Sequence, residues 1–74
     1  MASIRFQVHR VDGSVQEIEG HSAQLARYLA ADNMTGKALL DHVVTDDWGA
    51  PPSYVIVTTV SDGGMPTSLS IPYR

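Results

Sequence analysis

At 74 residues the chain holds one domain, residues 1–74, with a thin core, and the absence of cysteine excludes disulfides and a thiolate zinc site. Eight Asp and Glu against five Lys and Arg give a net charge of −3. The five basic residues, Arg5, Arg10, Arg27, Lys37 and Arg74, are scattered and do not supply the cluster that nucleic-acid phosphates require, and the net charge is too mild a field for an acidic nucleic-acid mimic.

The first residues alternate and form no apolar leader, and the longest strongly apolar run, Tyr54-Val55-Ile56-Val57, is far too short to span a membrane. A cytoplasmic protein is the expectation. Residues 3–10 alternate strictly, with Ile4, Phe6 and Val8 on one side and Arg5, Gln7 and His9 on the other. Period two predicts a half-buried strand. Asp12-Gly13 marks a turn, and parity sets its length. A two-residue loop would place Glu17 opposite Val8, on the apolar face. A three-residue loop, Val11-Asp12-Gly13, pairs Phe6 with Ile18 and puts Glu17 and Glu19 on the outer face with Arg5, Gln7 and His9. The second register buries no charge, so it is preferred.

Gly20-His21-Ser22 ends the second strand, with Ser22 as the expected N-cap of a helix over 23–31. Leu25, Ala26 and Leu29 give that helix an apolar stripe, with Tyr28 beside it. Asp32-Asn33 is the expected stop, Asn33 taking a left-handed cap. Thr35 can cap a second, shorter helix whose apolar side is Leu39, Leu40, Val43 and Val44. The stretch 46–53 reads as a loop, because Pro51-Pro52 opposes regular structure. Residues 54–60, YVIVTTV, form the strongest strand signal and suit a central position. After a glycine-containing loop at 61–66, residues 67–73 alternate again, and Pro72 points to an edge strand. The order β-β-α-α-β-β predicts an α+β fold: a four-stranded antiparallel sheet with both helices on one face.

No catalytic framework emerges. His9, His21 and His42 match no zinc spacing. His42 beside Asp41, with Asp46 and Asp47 following, lacks a nucleophile and a second imidazole at helical spacing. Thr35-Gly36-Lys37 is similar to the end of a phosphate-binding loop but lacks the earlier glycine and the preceding strand. No metal, cofactor or catalytic residue is therefore expected, and the chain reads as a non-enzyme.

Recognition surface is what remains. Trp48 is the only tryptophan; flanked by Asp46, Asp47 and two prolines, it suits an anchor for a protein partner, since tryptophan offers large area at low entropy cost. Glu17, Glu19 and His9 form a second patch on the open sheet face. In size, acidity and layout, over its whole length, the chain resembles the anti-CRISPR proteins and related anti-defence inhibitors of bacterial phages; no single motif carries the resemblance. It implies a cytoplasmic inhibitor, acting in the host cell, that covers a docking surface of a bacterial defence complex. It also implies that Asp46, Asp47, Glu17 and Glu19 face basic residues there, with no direct nucleic-acid or membrane contact. The alternative expectation is a self-associating accessory subunit, a homodimer through an edge strand.

Overall fold

The computed structural model describes residues 2–44 and 50–74. The elements run β1 (Ser3–Arg10), β2 (Val15–Glu19), α1 (Ser22–Ala30), α2 (Gly36–Val43), β3 (Pro52–Val60) and β4 (Pro66–Pro72). All four strands join one antiparallel sheet in the order β2-β1-β3-β4. The α+β fold expected from the sequence is the fold found.

The β1–β2 register is the one parity favoured. Phe6 pairs with Ile18, Gln7 with Glu17 and Arg5 with Glu19. The Arg10 N–H donates to the Ser14 carbonyl at 3.0 Å, and Gly13 takes φ +89°, the left-handed position that closes a bulged three-residue loop. The Ser14 N–H donates to Asp12 Oδ1 at 2.9 Å and so braces the turn.

One face of the sheet supplies Ile4, Phe6, Val8, Val55, Val57 and Ile71 to the core, and Leu39, Leu40, Val43 and Val44 close over them. Phe6, Val8 and Val55 are fully buried. The helices thus cover a single face, α1 lying against β1 and α2 against β4. The apolar side expected of α2 is the side that packs.

The first helix departs from expectation in three ways. Its N-cap is His21, not Ser22; the His21 N–H donates to Gln24 Oε1 at 3.0 Å. That bond draws Gln24 inward, to 2% exposure, as the one buried polar side chain among the described residues. The inward face is consequently Gln24, Leu25, Tyr28 and Ala31, while Ala26 is exposed and Leu29 is 68% exposed. The helix is rotated relative to the Leu25/Ala26/Leu29 stripe because the cap fixes the first turn. Its end is different too. Ala31 is the C-cap with φ −87°, and no residue but glycine has positive φ among the described residues, so Asn33 makes no left-handed cap.

The expected loop 46–53 is shorter at its far end. Pro52 and Ser53 belong to β3, and Pro52 pairs with Arg10 across an irregularity between His9 and Arg10. Proline is tolerated there because it is the first strand residue, beside a bulge, where no ladder N–H is needed. Residues 46–49 lie outside the described residues.

The chain beyond β4 is pinned to α2. The Lys37 N–H donates to the Arg74 carbonyl at 2.8 Å, placing a partial negative charge on the helix N-terminus. Gly36, at φ +56°, permits that approach; a Cβ there would lie 2.5 Å from the Arg74 oxygen.

Candidate recognition surface

Because strand side chains alternate, the face opposite the core is assembled from the residues between the core positions. Pairing across the four strands sorts them into rows. Val15, His9, Tyr54 and Pro72 form one; Glu17, Gln7, Ile56 and Ser70 the next; Glu19, Arg5, Thr58 and Ser68 the third. Ser3, Val60 and Pro66 extend the end. With strands ~4.8 Å apart and ~3.3 Å of rise per residue, the rows span roughly 15 Å by 20 Å.

Each row has its own chemistry. In the first, the His9 and Tyr54 rings stack with centroids 4.4 Å apart and planes 10° from parallel. His9 Nε2 lies 2.7 Å from Gln7 Oε1, a contact that the Nε2–H tautomer satisfies as donor. Both rings are thereby held against the pleat, and Ile56 lies beside them, half-buried. In the third row, Arg5 and Glu19 form an ion pair at 2.7 Å with side chains 55% and 73% exposed. A pair that exposed contributes at most about 1 kcal/mol. Thr58 Oγ1 and Ser68 Oγ share a hydrogen bond of 2.9 Å. Glu17 has no ion pair or hydrogen bond to any described side chain, and it sits between Val15 and Glu19 on the outer strand.

The structure therefore brings together three of the residues singled out from sequence: His9, Glu17 and Glu19 share one face of the sheet. Trp48, Asp46 and Asp47 lie outside the described residues. Tyr54 and Ile56 were missed by sequence reasoning. YVIVTTV looks apolar on both sides, and only the β1–β3 register shows that Tyr54 and Ile56 fall with His9 and Gln7.

Two other surfaces carry side-chain chemistry. Leu25, Leu29, Met65, Thr59 and Thr67 line a shallow groove on the helix-covered side, between α1 and the β3–β4 turn. On the surface of α2, Tyr73 donates its hydroxyl to Asp41 Oδ1 at 2.7 Å, and Lys37 Nζ reaches Asp41 Oδ2 at 3.0 Å. Lys37 also stands 5.4 Å from the centre of the Tyr73 ring. The hydrogen bond to Asp41 holds the Tyr73 phenol above its ordinary value, and the same carboxylate raises Lys37. This cluster latches the chain end to the helix. His42, next to Asp41, is exposed.

Among the described residues, no three His, Asp or Glu side chains converge in a way that could hold a metal ion, and no helix is long and apolar enough to cross a membrane. No family model, curated protein or solved structure matches the chain.

Proposed function

We propose that the chain is a small protein-binding inhibitor that lays the open face of its sheet against a larger protein or nucleoprotein complex and blocks it by contact. The observation that carries this reading is the organisation of that face. It lies opposite both helices and presents a stacked His9–Tyr54 pair beside Ile56 with charges toward the β2 side. Aromatic and aliphatic groups at the centre of a patch supply binding energy, and flanking charges set orientation and association rate. The resemblance in size and acidity to phage anti-CRISPR proteins makes a bacterial defence complex the partner class, met in the host cytoplasm.

The test is capture from a lysate of bacteria that express such a complex, with the wild-type chain and a His9→Ala/Ile56→Lys variant as baits. One stoichiometric partner held by the wild type and lost by the variant is the expected result. Capture of the same partner by both baits, or of none by the wild type, contradicts the reading.

A further inference from the structure

The two outer strands of the sheet differ in what their free edges offer. In an antiparallel ladder, residues whose N–H and C=O face one neighbour alternate with residues whose groups face the other way. For β4 the parity is fixed at both ends, since the Tyr73 N–H donates to Ser53 and the Ser61 N–H to Met65. Odd-numbered residues of β4 therefore bond to β3, and residues 66, 68, 70 and 72 point outward. Two of these are Pro66 and Pro72, which have no N–H. Proline on outward positions removes nothing from the sheet and blunts the edge against added strands.

On β2 the same parity runs from two hydrogen bonds, Gly20 N–H to the Ile4 carbonyl and Arg10 N–H to the Ser14 carbonyl. Even-numbered residues face β1. The N–H and C=O groups of Val15, Glu17 and Glu19 face outward, and none of these is proline. Three of the strand's side chains flank that edge on the open face: Val15, 53% exposed, Glu17 and Glu19. On the helix-covered face the half-buried Ile18 stands beside Gln16.

We infer that β2 is a docking edge for an extended segment of the partner, which adds as a fifth, antiparallel strand and carries basic residues opposite Glu17 and Glu19. The inference rests on the protein-binding reading above and states where contact begins. Backbone hydrogen bonds to Val15, Glu17 and Glu19 supply register-tolerant affinity, and alternate side chains supply choice. Read antiparallel from Glu19 to Val15, the matching segment is basic, aliphatic, basic, polar, aliphatic. The aliphatic positions meet Ile18 and Val15, and the basic ones meet Glu17 and the Arg5–Glu19 pair. A second copy of this chain fits the edge poorly, because two-fold pairing about Glu17 sets that carboxylate against itself. The edge also enlarges the contact. The open face alone is a few hundred Å², short of the roughly 800 Å² per partner of a standard interface.

The test uses the full chain, labelled with nitrogen-15, and a synthetic peptide containing Lys-Val-Lys-Thr-Val. The amide signals of Val15, Glu17 and Glu19 are expected to shift, and their hydrogen exchange to slow by about tenfold or more. The same peptide N-methylated on its bonding edge, and a peptide with Glu in place of Lys, should do neither. Glu17→Pro, which removes an outward N–H and no ladder bond, should abolish the response, and Glu17→Gln should weaken it. Should Glu17→Pro fail to fold, the N-methylated peptide applies the same block to the native chain. The inference is overturned by shifts at Ser68 and Ser70 instead, by equal responses to the N-methylated or acidic peptide, or by no response. Concentration-dependent shifts of 15–19 without peptide would also overturn it, by naming a second copy as occupant. A partner captured equally by wild type and Glu17→Pro, yet lost by His9→Ala/Ile56→Lys, removes the edge and leaves the open-face reading standing.

Discussion

The Tyr73 hydroxyl, the Lys37 ammonium and the Asp41 carboxylate between them show how single side chains close this fold. Both Tyr73 and Lys37 have their acidity weakened by Asp41, so the folded chain holds these protons more tightly than the unfolded one. Their contribution is complete below the ordinary tyrosine value of 10.0 and is lost as pH rises past it. Urea unfolding followed from neutral to strongly alkaline pH should show a falling midpoint, with a shallower fall for Tyr73→Phe. An identical pH dependence in both proteins would mean the latch contributes nothing. At the hairpin, Gly13→Ala should cost about 1 kcal/mol, because its left-handed φ and not crowding is what excludes a Cβ. Chemical denaturation measures it. The turn was legible in the sequence because burying Glu17 is costly, and that cost selects one loop length. The Tyr73 latch was not, since nothing local links positions 73 and 41.

At the scale of the element, α1 carries the clearest divergence between pattern and packing. Counting apolar residues points to Leu29, yet the bond between the His21 N–H and Gln24 turns Gln24 and Tyr28 inward instead. Leu29→Ser should therefore change stability by less than about 0.5 kcal/mol, whereas Tyr28→Ala should cost about 1–3 kcal/mol. Equal losses in a denaturant titration would restore the sequence-derived stripe. The second helix shows no such conflict: Leu39, Leu40 and Val43, with Val44 at its C-cap, all pack, and pattern alone located them. In β3 the pattern identified the element but not its faces. Seven apolar, β-branched or aromatic residues in a row do not show which side meets the core; pairing with β1 settles it and moves Tyr54 and Ile56 to the open side.

For the whole molecule, size dominates. A chain this short has a net stability of about 3–5 kcal/mol, and Phe6, fully buried at the centre of the only apolar cluster among the described residues, is worth a similar amount, ~3–5 kcal/mol on truncation to Ala. Phe6→Ala should leave the chain largely unfolded at 25 °C, with its amide dispersion collapsed in a nitrogen-15 spectrum. Fold class and strand order could be read from period and turn chemistry because each local signal agrees with the same sheet. The recognition surface was legible only in part: His9, Glu17 and Glu19 follow from parity, while the contrast between a proline-blunted edge and an open one needs the ladder itself.

Hydrogen exchange on the chain alone and in complex with its captured partner separates contact through the open sheet face from contact through the helices. Slowed exchange confined to β1, β2 and β3 is expected, with His9, Tyr54 and Ile56 shielded from side-chain labelling. Shielding of α2 at Lys37, Asp41 and His42, with the open sheet face labelled as in the free chain, would rule out contact through the sheet.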